Sequence, residues 1–374
     1  MNHFAIIKHL LKNRIPGQLV IQMTDRCNAR CPQCGMRVSE PFERSTLEVD
    51  YIRRLIDAAA EKHFQAVSFT GGEPLLYADD LIKLIRHAGA AGIPYIRTGT
   101  NGFIFRNPQQ PGFRKRVYGL AEALAETPLR NFWISLDSSF DAVHEQMRGF
   151  KGVVAGIEKA LPIFHELGLY PSVNLGINRN LGGITTRSFE PMRLGSRQQY
   201  LDAFYKGFYD GFQQFYRRVV DLGFTIANTC YPMSIDADEQ EMGLSAVYAA
   251  SATTGVVRFT AAEKRMLFKA LKHTVQAWRH KIRIFSPLCA MEALITQYDE
   301  KKNGLEPKGC RGGIDFFFVE ASNGSTYPCG YRGNEDLGEL WELDLSVLRN
   351  QINDKPCTRC DWECFRDPTE LMSP

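Results

Sequence analysis

Three cysteines within eight residues, Cys27-Asn28-Ala29-Arg30-Cys31-Pro32-Gln33-Cys34, constrain this chain more than any other feature. The C-x3-C-x2-C spacing brings the thiols too close along the chain to pair as unstrained disulfides. Three thiolates so spaced can instead converge on one face of a soft metal centre, and the fold must deliver them in a loop open enough to hold it. Three is one fewer than the four thiolates an iron–sulfur cubane usually takes. A [4Fe–4S] cluster on Cys27, Cys31 and Cys34 therefore keeps one iron without a protein ligand. A structural zinc knot is the alternative, but zinc is ordinarily closed by four ligands, and no fourth Cys or His lies nearby.

Composition narrows the setting. The 374 residues carry a formal charge of only +3, with no polybasic block, so nothing favours nucleic acid or a membrane surface. The N-terminus lacks a cleavable signal pattern, and no apolar run reaches the roughly 18 residues of a spanning helix. The expectation is a soluble, cytoplasmic protein. Ten cysteines in such a chain argue for metal binding over disulfides. Neither repeats nor low-complexity tracts are present.

Along the chain, Asn2 to Arg14 reads as an amphipathic helix suited to packing against the main domain, so residues 1–17 form an N-terminal segment. Gly17 introduces a strand over Gln18 to Met23. Strand and helix patterns then alternate: helix Leu47–Lys62, strand Phe64–Thr70, helix Ala78–Ala91, strand Tyr95–Thr98, helix Arg114–Glu126 and strand Asn131–Leu136. Helix Val153–Leu167, strand Pro171–Ile177, a long helix over Ser196–Leu222, strand Phe224–Asn228 and helix Thr260–Trp278 follow. Alternation of this kind marks a parallel sheet with crossover helices. The long helix carries Phe204, Tyr205, Phe208, Tyr209, Phe212, Phe215 and Tyr216, a stripe expected to be core although able to line an apolar pocket. Thr260 with Glu263 predicts a capping box.

Thr70-Gly71-Gly72-Glu73-Pro74 directly follows the second strand. Ligands of parallel α/β folds gather at the C-terminal strand ends, which puts this loop beside the cysteines. Adjacent glycines let backbone approach a ligand, and Glu73 can accept hydrogen bonds from an ammonium. Thr98-Gly99-Thr100-Asn101-Gly102, Ser135-Leu136-Asp137, Arg148 and Asn174 occupy later strand ends or the turns near them.

Together the C-x3-C-x2-C run and the Gly-Gly-Glu-Pro loop resemble the radical S-adenosylmethionine (SAM) superfamily over roughly residues 18–285. The resemblance implies an α/β fold, a partial (β/α)6 barrel open on one side. It also implies a [4Fe–4S] cluster whose open iron is chelated by SAM, reductive cleavage of SAM, and a 5′-deoxyadenosyl radical that abstracts hydrogen. Gly71, Gly72, Glu73 and Pro74 then correspond to the segment binding the SAM amino group. Thr100 and Asn101 correspond to the family's TNG segment, and Ser135 and Asp137 to its polar contacts with the ribose. Arg148 sits where relatives carry an arginine near the SAM carboxylate, and Asn174 is within reach of the nucleoside. No catalytic residue is assigned beyond the cluster.

Residues 286–374 hold Cys289, Cys310, Cys329, Cys357, Cys360 and Cys364. Cys310 and Cys329 bracket a β-hairpin built from Ile314–Glu320, a Ser322–Ser325 turn and Thr326-Tyr327. This resembles the element that opens SPASM and Twitch modules, which carry auxiliary clusters. Cys357-Thr358-Arg359-Cys360 adds a metal-pair spacing, with Cys364 beyond. A full SPASM pattern has two more cysteines, so one auxiliary [4Fe–4S] cluster is the leading expectation, with two clusters or a zinc ribbon as alternatives. Cys230 is expected to be a buried, inert thiol.

The function expected is a radical SAM enzyme acting on a peptide, small molecule or lipid, served by a flavodoxin- or ferredoxin-like reductant, with no nucleic-acid partner and no membrane span. A radical SAM methyl or adenosyl transferase, or an iron–sulfur electron carrier without SAM cleavage, are the alternatives. Only about twenty residues precede the cysteine loop, which weighs against a leader-binding domain and so against a peptide.

Overall fold

The computed structural model describes residues 17–34, 43–187, 195–232, 255–299, 309–348, 357–358 and 361–372. Asn2–Arg14 and Cys360 lie outside them. The backbone alternates strand and helix: β1 Gln18–Thr24, α1 Val49–Glu61, β2 Ala66–Gly71, α2 Ala78–Ala90, β3 Tyr95–Thr100, α3 Phe113–Ala125 and β4 Leu129–Ser135. Two helices, α4 Asp141–Arg148 and α5 Val153–Glu166, precede β5 Ser172–Gly176. Helix α6 Arg197–Asp221, β6 Ile226–Cys230 and α7 Ala261–Trp278 continue the pattern. Strand β7 Arg283–Ile284, α8 Leu288–Gln297, the hairpin strands β8 Phe316–Val319 and β9 Thr326–Tyr327, and α9 Glu363–Met372 close it.

All the described strands share one sheet in the order β7-β6-β5-β4-β3-β2-β1-β8-β9. Among the described strands, pairing is parallel from β7 to β8, and β8 with β9 is antiparallel. The order has two ends, so the six expected strand–helix units form an open, partial barrel. The C-terminal hairpin rejoins this sheet, with Gln18 opposite Phe316 and Val20 opposite Phe318. Phe317 and Val319 enter the same core as Leu19, Ile21 and Phe69, and Phe317 meets Phe64 edge-on at 5.7 Å.

Side chains alternate across each strand. One set, including Leu19, Ile21, Val67, Phe69, Ile96, Phe132, Ile134, Val173 and Leu175, is buried against the helices. The other set, including Ser68, Arg97, Asn131, Ser172, Asn174 and Asn228, is largely polar and lines a cavity of about 350 Å³ inside the curved sheet. A parallel strand packed on both faces would be apolar throughout; here the inner face is free for a ligand.

The aromatic stripe of α6 is core. Phe204, Phe208, Phe212, Phe215 and Tyr216 are buried where α6 packs on α7, and none lines the cavity, so the expectation that they could form an apolar pocket is corrected. Phe204 and Phe208 pack edge-on against Phe259, while Tyr216 stacks on Trp278 of α7 and reaches Thr229 of β6. The capping box at α7 is present: Glu263 N–H donates to Thr260 Oγ1 at 3.3 Å, and Thr260 N–H to Glu263 Oε2 at 2.7 Å. No helix among the described residues is long and apolar enough to cross a membrane.

Candidate active site

The cysteine loop leaves β1 at its C-terminal end and is pinned from two sides. Gly72 N–H donates to Thr24 O at 2.8 Å and Glu73 N–H to Arg26 O at 3.0 Å, zipping the Gly-Gly-Glu-Pro loop onto it. A Cβ on Gly71, whose φ is +141°, would stand 2.0 Å from Thr24 O, and one on Gly72 would stand 2.1 Å from Arg26 O. The two glycines are thus required by loop-to-loop contact. Pro74 starts a 3-10 turn beyond them.

Glu73 is fully buried and committed to backbone amides: Leu75 N–H reaches Oε1 at 3.0 Å and Asn101 N–H reaches Oε2 at 2.6 Å. Burial lifts its carboxyl to about 7, against the lowering effect of those amides. Asn101 donates through Nδ2 to Asn28 Oδ1 at 2.9 Å and to Cys27 Sγ at 3.6 Å. Thr100 Oγ1 accepts Gly102 N–H, holding the turn that presents Asn101.

A charged knot backs the loop. Arg148, at the end of α4, forks onto Asp137 with Nε to Oδ2 at 2.7 Å and an Nη to Oδ1 at 3.0 Å. Gln33, between two of the cysteines, donates to Asp137 Oδ2 at 2.8 Å, and the Asp137 amide donates to His144 Nδ1 at 3.1 Å. Burial would raise the Asp137 carboxyl, but the Arg148 guanidinium and then His144 outweigh it and hold it well below the usual carboxylate range. Gln33 and His144 carry no sequence signal of their own, since both meet Asp137 only once the chain is folded.

Cys31 and Cys34 face the cavity, and Cys27 is partly buried beside them. Burial pushes the Cys31 thiol up to about 12, against the pull of Arg148, while Cys34 and Cys27 raise it further, so the three sulfurs lie within one another's field. Burial also raises Cys27, partly offset by the Ala29 N–H that reaches its sulfur at 3.4 Å. Among the described residues no three His, Cys, Asp or Glu side chains converge tightly enough to hold a single metal ion. A bound metal would replace the protons that burial now favours.

Ser135 lines the cavity. Asn174 bonds Cys230, its Nδ2 standing 3.2 Å from the sulfur, and accepts from Asn228 Nδ2 at 3.0 Å. Cys230 is therefore a cavity-wall residue. Of the C-terminal cysteines, Cys310, Cys329 and Cys357 group together. Cys310 N–H donates to Cys357 O at 2.6 Å, and Cys329 senses both other sulfurs electrostatically. Cys364 stands apart at the cavity beside Cys230 and Glu363, and Cys289 is exposed on α8.

Residues 21–182 match the family described as the Radical SAM superfamily. Residues 21–182 are thus similar to a radical SAM domain. Its family implies SAM and a [4Fe–4S] cluster, and the donor set at Cys27, Cys31 and Cys34 fits the latter. Similar curated proteins include a probable GTP 3′,8-cyclase of Pyrococcus abyssi, 31% identical over 163 residues, 43% of this chain and 48% of that protein. An AdoMet-dependent heme synthase of Oleidesulfovibrio alaskensis is 24% identical over 327 residues, 83% of this chain and 68% of that protein. The match thus spans about half the length of the cyclase. Streptococcus suis SuiB bound to S-adenosylmethionine shares the radical SAM fold, with a TM-score of 0.57 at 17% identity, covering 94% of this chain and 70% of that one. SuiB has also been solved with its precursor peptide SuiA.

Proposed function

We propose that this radical SAM enzyme abstracts a hydrogen atom from a polar substrate, a peptide or small metabolite, held over the inner face of its sheet. One observation carries the reading: a single cavity joins Cys31, Cys34 and Glu73 at one side to the hydrogen-bonding side chains of β4, β5 and β6 at the other. When bound, the cluster and SAM together supply a 5′-deoxyadenosyl radical able to take hydrogen from a neighbouring C–H bond.

The chain's own residues bind and orient. The backbone of Gly71–Pro74 would hold the SAM amino group, and Arg148, kept charged by Asp137, has N–H donors left for the carboxylate. Ser135 and Asn174, on the cavity wall, would contact the nucleoside, and Thr100 holds the turn that sets Asn101 against Cys27. The buried inner wall keeps bulk water from the reacting carbon. Asn131, Ser172 and Asn228 offer hydrogen-bonding groups to a substrate beside the apolar Trp133, Phe285 and Leu371. The fold shared with SuiB supports a peptide, and the likeness to a heme synthase supports a small molecule.

Cys310, Cys329 and Cys357 would supply three thiolates to one auxiliary cluster. A flavodoxin- or ferredoxin-like donor in a cytoplasmic setting supplies electrons. Anaerobic, iron-loaded enzyme with dithionite and SAM should release 5′-deoxyadenosine, and a deuterated substrate should pass its label into that product. Fully iron-loaded protein that releases none would overturn the assignment.

A further inference from the structure

The cavity contains a second sulfur group, across the sheet from the cysteine loop. Cys230 ends β6, five strands along from β1, and Cys364 lies in the first turn of α9, which packs against β6 and α8. Both thiols converge on one carboxylate oxygen. Glu363 Oε1 accepts from Cys364 Sγ at 3.0 Å and from Cys230 Sγ at 3.4 Å. Arg97, on β3, brings an Nη to 3.8 Å from the Cys364 sulfur. Glu363 is 95% buried, lines the cavity, and its Oε2 has no hydrogen-bond partner. An orphan acceptor buried this deeply is costly unless a ligand donates to it. Cys310, Cys329 and Cys357, in contrast, do not line the cavity.

We propose that Cys364 is the hydrogen-atom donor of this active site rather than a ligand of the auxiliary cluster, with Glu363 positioning it and Cys230 beside it. The proposal rests on the radical reading above. In the step, the Cys364 S–H bond breaks and a C–H bond forms on the substrate radical, leaving a thiyl radical. One electron from an iron–sulfur or flavin donor of the class that serves the SAM site, and one proton delivered through Glu363, restore the thiol. An S–H bond is weaker than an aliphatic C–H bond, so the transfer runs downhill. A hydrogen removed from the side of the cysteine loop and returned from the opposite wall inverts a carbon centre. The substrate class is therefore a polar molecule with a stereocentre, bearing an N–H or ammonium group for Glu363 Oε2.

The test needs no substrate. SAM is the probe, turned over by anaerobic holoenzyme with dithionite in D2O and thiol-free buffer. The exchanged Cys364 S–D should place one deuterium in 5′-deoxyadenosine. Cys364→Ser should cut that label about tenfold, its O–H being a poorer donor, with iron content unchanged. Full retention of label, or loss of a cluster's worth of iron, overturns the proposal. A poorly folded variant is bypassed by treating native holoenzyme with iodoacetamide. Alkylation of Cys364 with iron retained supports a free thiol, and protection until the iron is stripped overturns it. Absence of 5′-deoxyadenosine from the unaltered enzyme instead overturns the radical reading, and the alkylation result still decides whether Cys364 is a ligand.

Discussion

The two cysteine groups are built alike and placed unlike. In both, a thiol accepts the N–H two residues onward: Ala29 to Cys27 at 3.4 Å, Gly312 to Cys310 at 3.4 Å and Tyr331 to Cys329 at 3.3 Å. Each group also has an arginine within electrostatic reach, Arg148 beside Cys31 and Cys34, and Arg332 beside Cys329 and Cys357. Access separates them. Cys31 and Cys34 open into the cavity, whereas Cys310 and Cys329 are buried outside it, near the Tyr331–Trp362 stack. The same donor chemistry thus faces a cavity in one place and lies outside it in the other.

The most forceful way to break this comparison is to remove one thiol from each group. Cys31→Ala should abolish 5′-deoxyadenosine release and remove about four irons. Cys329→Ala should also lose iron, yet keep SAM cleavage within about tenfold of the parent, and it should melt earlier, because metal binding at a buried site is coupled to folding. Iron analysis beside product release measures both. Loss of SAM cleavage in Cys329→Ala with the first cluster intact would mean that the two sites are not separable.

A smaller effect is expected from the carboxylate that holds the first arginine. Asp137 is 1% exposed and the Arg148 side chain 13%, so Asp137→Asn strands a nearly buried cation. Breaking such a pair costs roughly 3 kcal/mol, read by urea unfolding of the apoprotein. The folded carboxyl titrates below its unfolded value, so its contribution is fully present above the unfolded pKa and is lost as pH falls through the folded one. The gap between parent and variant should therefore be flat from pH 5 to 8 and close only below about pH 4. A gap that changes near neutrality would place the cost elsewhere.

What could be read from sequence was local. The cysteine run, the Gly-Gly-Glu-Pro loop, the strand–helix alternation and the Thr260–Glu263 capping box each lie within a few residues, and spacing alone reveals them. The polar inner face was encoded in strands such as Ser172-Val173-Asn174 and Ala66-Val67-Ser68, where alternation in a parallel strand implies one unpacked face. Other features needed the tertiary fold. Helix α9 is disguised by Pro368, and Glu363 meets Cys230 across 133 positions of sequence. Cys364 shares a motif-like spacing with Cys357 and Cys360, yet its place in the first turn of α9 turns it toward the barrel. Asp137 and Arg148 read as separate SAM contacts because nothing local shows that they bind one another.

The subtlest test asks whether the second arginine depends on its own carboxylate. Arg332 pairs with Glu335, but that carboxylate is 46% exposed, and Arg332 also donates to Gly312 O at 3.2 Å. An ion pair half in water contributes little, about 0.5 kcal/mol, and the carbonyl contact remains when the carboxylate is gone. Glu335→Ala should therefore leave both the unfolding midpoint and the iron content close to those of the parent, well short of the Asp137→Asn effect. A loss as large as that of Asp137→Asn would show that both arginines rely equally on their carboxylates. Access to the cavity would then not be what distinguishes the two cysteine sites.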